Sequence, residues 1–111
     1  MERYYYLVLA RAVPGREAEF DKWYDEQHLG DVARIQGVAS ARRYPIHWQK
    51  TTELDAPQWR SLTVYEIEAE DPKEVIAAIL KVAGTDVMPL SDAMTKNGMI
   101  QVLAGPIGQS N

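Results

Sequence analysis

Apolar and aromatic positions dominate Tyr4 to Val13, and the run stops at Pro14-Gly15, which predicts a strand buried on both faces and central in its sheet. From Arg16 to about Gly30 the pattern changes period. The large apolar side chains fall at Phe20, Trp23 and Tyr24 and, beyond His28, at Val32 and Ile35, the spacing of a helix with one buried side and with Asp21, Asp25 and Glu26 toward water. Gln36-Gly37 is a turn. Val38 to Trp48 alternates in strand fashion, with Pro45 marking an edge or a bulge, and Lys50 to Pro57 is polar and turn-like. Trp59 to Ala69 is the clearest strand: Leu62, Val64, Glu66 and Glu68 face one way, and Trp59, Ser61, Thr63, Tyr65 and Ile67 the other. A second helix begins at Asp71 as N-cap, with Pro72 at the first helical position, Glu74 at the capping-box spacing and Gly84 beyond the end; Val75, Ile76, Ile79, Leu80 and Ala83 form its stripe. Thr85 to Thr95 reads as a loop with a short extra helix closed by Asn97-Gly98, before a last strand, Met99 to Leu103, and a Gly/Pro-rich tail.

The order β-α-β-β-α-β predicts an α+β ferredoxin-like sandwich, a four-stranded antiparallel sheet with both helices on one face. The other face then matters. Both sides of the first and third strands are too apolar for water, so the uncovered side is expected to pair with a second copy, making a homodimer.

Composition narrows the chemistry. A chain of 111 residues with 46% hydrophobic and 25% charged residues suits one soluble domain over residues 1–111. No stretch approaches the roughly 18 uninterrupted apolar residues of a membrane span, and the mixed-charge start followed by Arg11 is unlike a signal peptide. A cytoplasmic location without membrane contact is the expectation. The absence of cysteine excludes disulfides and thiolate chemistry, and the formal net charge of −4 argues against nucleic acid as a partner. His28 and His47 have no ligand spacing that demands a metal, no Gly-rich phosphate loop is present, and no Ser–His–acid order appears.

On a regular helix Tyr24 and His28 share one face, with Asp31 three residues further on, so both rings point at the sheet. An imidazole beside a phenol in an apolar cavity is suited to moving protons near neutral pH, with Asp31 or Asp25 fixing the tautomer if either reaches the ring. The same spacing fits a structural histidine bonded to backbone or to Asp31. On the second strand Arg42 and Tyr44 share one face, and Arg43, Pro45 and His47 share the other. An inward arginine would hold a carboxylate or enolate, whereas one at a sheet edge would only snorkel. Trp59, Ser61, Thr63 and Tyr65 form a polar-aromatic stripe suited to lining a pocket or a dimer barrel.

The stretch FDKWYDEQHLGDVARIQGVASARRY resembles the signature region of the dimeric α/β-barrel superfamily, nearest to its EthD-like branch: an aromatic-Tyr-x-x-x-His helix (Trp23, Tyr24, His28), then Asp31, a turn at Gln36-Gly37, and a strand with Arg42 to Tyr44. The resemblance implies a ligand pocket between helices and sheet and a small-molecule substrate. Together with the spacing it makes His28 and Tyr24 the candidate catalytic residues, with Trp23, Asp31, Arg42 and Tyr44 around the substrate, and the polar-aromatic stripe adds Trp59 and Tyr65 to that lining. The expected activity is cofactor-free acid/base chemistry of the lyase or isomerase kind on an aromatic or polyketide-like carbonyl compound, without metal or other cofactor. The alternatives are a cofactor-free or haem-using monooxygenase on the same fold and a non-catalytic ligand-binding protein. The first strand, RYYYLVLARAV, lacks the Asn of haem-degrading relatives, which counts against haem.

Overall fold

The structure, a computed structural model, describes residues 2–52 and 59–106; most of the polar loop expected at Lys50 to Pro57 and most of the Gly/Pro-rich tail lie outside them. The chain runs β1 (Arg3–Ala12), α1 (Glu17–Trp23), a π-helical turn (Tyr24–His28), α2 (Leu29–Ala33), β2 (Val38–Pro45), β3 (Ser61–Glu68), α3 (Pro72–Val82) and β4 (Met94–Ala104). The four strands pair antiparallel in the order β2-β3-β1-β4, the ferredoxin-like arrangement. β1 is central, and β2, which ends on Pro45, is an edge strand where the missing N–H costs no ladder bond.

Alternation decides which residues meet the helices. On β1 the residues Tyr6, Val8 and Ala10 are buried, and on β3 Ser61, Thr63, Tyr65 and Ile67 are buried. Phe20, Tyr24 and Val32 from the first helical layer and Val75 and Ile79 from α3 close over them. The intervening Leu7, Leu9, Leu62 and Val64 lie on the opposite, uncovered face and are only half-buried.

α3 starts as the pattern requires. The Asp71 side chain accepts from the Lys73 amide at 3.1 Å and Pro72 occupies the first turn. Leu80, expected on the buried stripe, is instead 56% exposed and borders a cavity, so α3 covers the sheet incompletely.

Two further expectations change. No helix forms between Thr85 and Thr95: Thr85 Oγ1 donates to the Val82 carbonyl and accepts from the Val87 amide, and Ser91 Oγ accepts from the Ala93 amide. Side-chain oxygens thus satisfy the backbone locally and compete with helix, while Met88 anchors the segment in the core. β4 begins at Met94 rather than Met99, because pairing resumes beyond an irregularity: Leu9 faces Ile100, but Arg11 faces Thr95, and Lys96 to Met99 bulge between.

Gly37 joins the first helical layer to β2 with φ +98°, and a Cβ built there would stand 2.6 Å from Val75 Cγ2 on α3. Gly37→Ala is therefore expected to destabilise by about 1–3 kcal/mol, combining left-handed strain with overpacking. Urea unfolding of Gly37→Ala, Val75→Ala and the double variant should give a coupling term, since truncating Val75 relieves the clash and leaves the strain. Additive effects would mean the helix gives way at no cost.

Candidate active site

The first helical layer does not turn regularly where its aromatic residues lie. The Leu29 amide donates to the Tyr24 carbonyl, five residues back, the signature of a π turn. Widening the turn brings residues five apart into line. His28 therefore stacks on Trp23, with ring centroids at 4.6 Å and planes 24° apart, and meets Tyr24 edge-on at 5.2 Å. Phe20 braces Tyr24 from the other side at 5.5 Å, and the Trp23 indole donates to the Pro89 carbonyl at 3.2 Å.

Below these rings sits a guanidinium. Arg43 Nε donates to Ser61 Oγ at 2.7 Å, Nη1 to Asp25 at 3.0 Å and Nη2 to Asp21 at 2.6 Å, while the group lies over the rings of Phe20 and Tyr24 at 5.4 and 4.8 Å. Burial alone would raise the Asp21 carboxyl, but hydrogen bonds from Arg60 and Arg43, with their charges, hold it below the usual carboxylate range. Asp21 and Asp25, expected to face water, are thus tied to the sheet.

Between the helical layer, α3 and the sheet lies a cavity of about 340 Å³. Tyr6, Tyr24, His28 and Tyr65 supply polar groups to its wall, and Met88, Met94 and Met99 much of its apolar surface. Tyr6 donates to the side chain of Gln101 on β4. Tyr65 OH and Thr63 Oγ1 are sealed from water without a normal hydrogen bond among the described residues, as is His28 Nδ1. One cause sets all these protonation states. Burial pushes the Tyr6 phenol up to about 12 and raises Tyr24 and Tyr65 as well, and it pushes His28 down to about 4 against the opposing pull of the Asp31 charge. At neutral pH the wall thus presents an uncharged imidazole and intact phenols. Such a wall accepts one proton and donates several hydrogen bonds. Among the described residues, no group of three His, Asp or Glu is placed to hold a metal ion.

The structure brings His28, Tyr24 and Tyr65 together on this cavity and separates the remaining candidates from it. Trp23 acts behind His28 as a stacking surface. Asp31 is buried, yet its carboxylate pairs with Arg34 and accepts from Gln27 at 3.1 Å, so it makes no hydrogen bond to the imidazole, and Asp25 belongs to Arg43. Neither acid fixes the tautomer. Arg42 and Tyr44 pair with Val64 and Leu62 on the uncovered face, because the register turns Arg43, opposite Thr63, toward the helices. The inward arginine is the other one of the pair. Trp59 is buried outside the cavity and donates to the Gly98 carbonyl at 2.9 Å, supporting the bulge in β4. Sequence reasoning left open Tyr6, whose place follows from the buried alternation Tyr6, Val8, Ala10, and it missed Gln101 and Lys96, which carried no local signal.

Two solved structures resemble this chain, and the first of them shares its fold. One, a putative monooxygenase from Shewanella loihica PV-4, is 14% identical over 97% of this chain and 97% of its own, with a TM-score of 0.59. The other, an EthD family protein from Bacillus halodurans C-125, is 12% identical over 96% of this chain and 100% of its own, with a TM-score of 0.49. The four-stranded antiparallel sheet with its helices on one face, expected from the β-α-β-β-α-β order, is the architecture observed. No protein-family model matches the chain, and no curated protein matches it significantly in sequence. Among the described residues no helix is long and apolar enough to cross a membrane.

The depressed basicity of His28 links the site to stability. Between pH 6.5 and about 4 the unfolded chain takes up a proton that the folded protein refuses. Stability from this group is therefore complete above pH 6.5 and falls as pH drops toward 4, by up to about 3 kcal/mol. Urea midpoints measured from pH 7 to pH 4 should fall more steeply for the wild type than for His28→Gln. Parallel curves would mean that the imidazole titrates normally in the folded state.

Proposed function

We propose that the protein is a small-molecule enzyme performing cofactor-free acid/base chemistry on an aromatic or polyketide-like carbonyl compound in this cavity. The observation that carries the reading is the imidazole of His28, kept neutral by burial in the wall of an apolar cavity shared with three protonated tyrosines. A base of low basicity removes only a proton that is already acidic, such as one between two carbonyl groups or one vinylogous to a phenol. His28 takes that proton, and Tyr24 and Tyr65 donate hydrogen bonds to the oxygen on which charge develops, their own protons being held by burial. Return of the proton to another carbon is an isomerisation. Loss of a β-hydroxyl as water, with the imidazolium returning its proton to the leaving oxygen, is a dehydration, and attack of the enolate on a second carbonyl is a cyclisation. A decarboxylation reaches the same enolate by loss of carbon dioxide from a β-keto acid instead of by proton abstraction, and ends when a proton is delivered to carbon.

A second reading, cofactor-free monooxygenation of a quinol-type substrate, begins with the same abstraction, since the carbanion or phenolate is the form that meets oxygen. The Shewanella loihica protein of the same fold, a putative monooxygenase, supports it. Oxygen uptake with a quinol substrate, read at an electrode, separates it from the first reading.

We also propose a homodimer formed through the uncovered sheet face. Leu7, Leu9, Leu62 and Val64 make its centre, and Ile100 and Val102 extend it at 40% and 44% exposure, leaving an apolar band that water would otherwise wet. Arg42, Arg11, Arg3 and Glu66 border that band with both signs of charge, as a surface that meets itself across a two-fold axis requires.

Two measurements follow. Light scattering at micromolar concentration should return twice 12.6 kDa; a mass of 12.6 kDa would refute the pairing. Deuterium exchange at the central carbon of a cyclic 1,3-diketone, followed by proton NMR, should be accelerated by the protein and fall at least about 100-fold in His28→Gln, with Tyr24→Phe in between. Acceleration that survives His28→Gln would remove the imidazole from the mechanism.

A further inference from the structure

The described residues that line the cavity include one cation, Lys96, and no carboxylate. This imbalance is local, because the chain as a whole carries a net charge of −4. Lys96 is also held in position. It opens the bulge in β4, whose next carbonyls are gripped from two sides: Asn97 O accepts from Arg11 Nη1 at 3.5 Å, and Gly98 O accepts from the Trp59 indole at 2.9 Å. The Asn97 amide is tied to Thr95 Oγ1 at 3.1 Å, and Gly98 takes the left-handed φ of +77° that the bulge needs. The bulge places Lys96, an exposed residue, on the rim of the cavity. Beside it Gln101, which accepts from Tyr6, and Met99 complete the β4 side.

We propose that the ligand of this cavity is an organic anion, its carboxylate or enolate oxygen held by Lys96 Nζ while a flat apolar body lies among Met88, Met94 and Met99. This rests on the reading of the cavity as the substrate site and adds the charge of the substrate and the residue that selects it. Three thioether side chains suit a flat, polarisable body, because methionine adapts its shape and packs well against aromatic rings. Lys96 replaces Arg42 in the role of anion holder, as the register directs Arg42 to the other face.

The test uses the full chain at pH 7.5 and follows the His28 ring protons by NMR during titration with 2-naphthoate and with its neutral isostere 2-naphthamide. Both ligands should move the His28 signals, and naphthoate should bind roughly fivefold tighter, the scale of one solvent-accessible ion pair. Added salt should weaken naphthoate alone. Lys96→Gln should abolish the preference while leaving naphthamide affinity unchanged, which also shows that the variant is folded, and Lys96→Arg should retain it. Equal affinities in the wild type, or a preference that survives Lys96→Gln, would overturn the anion assignment and leave the cavity reading standing. A His28 signal indifferent to both ligands would overturn both.

Discussion

A guanidinium pinned under a helix by two carboxylates is the contact on which the cavity wall depends. The donors of Arg43 reach Ser61, Asp25 and Asp21, so a charge that is only 9% exposed is compensated where an unpaired one would be costly. Its flat faces demand aromatic neighbours, and Phe20 and Tyr24 supply them. Those four helix positions, 20, 21, 24 and 25, are spaced as i and i+4 pairs, so one arginine on the edge strand fixes both the rotation and the height of the first helical layer. Tyr24 is then held from below by Arg43 and from the side by Phe20, and His28 is packed against Tyr24. The imidazole is placed at the end of a chain of contacts that begins on β2.

That chain explains why regular helical geometry is abandoned at Tyr24. A continuous α-helix would put His28 directly above Tyr24. The π turn shifts it onto Trp23 instead, where the stacked indole shields one face of the imidazole. The ring, which itself bonds to the Pro89 carbonyl, contributes to the burial of His28, and burial is the main reason for its low basicity. A rare backbone feature and an unusual protonation state thus have a common origin.

Much of this was legible in the sequence. The two-residue alternation of β3 and the Asp71-Pro72 start of α3 are local signals that no tertiary contact overrode, and the β-α-β-β-α-β order followed from them. The Tyr24 and His28 pairing was legible as a shared face, but the π turn was not, because hydrophobic spacing averages over a turn and cannot register one inserted residue. Arg42 and Arg43 were indistinguishable because a strand offers both faces equally until its register is fixed, and here a bulge between Val38 and Ser40 helps to fix it. Asp31 was misread because its partners, Arg34 and Gln27, lie on the same helical stretch and compete with the imidazole for its carboxylate. β4 was judged too short because the Lys96 to Met99 bulge breaks the alternation that identifies a strand.

Under the proposed function, the low basicity of His28 would also shape the course of the reaction. A neutral imidazole with a pKa near 4 is a poor base toward an ordinary ketone, and in isolation it would return its proton at once. An enolate formed beside it, as proposed, would change that balance. A negative charge generated within a water-poor wall stabilises the imidazolium through short-range attraction, which raises the basicity of His28 at the moment the proton is transferred. The tyrosines would act in the opposite direction, because each hydrogen bond donated to an enolate spreads its charge and makes it less basic. A cavity that withholds water from all of these groups therefore makes proton transfer conditional on a substrate able to delocalise the charge. A carbonyl compound with one simple α-carbon does not meet that condition, whereas a β-dicarbonyl or a hydroxylated aromatic ring does.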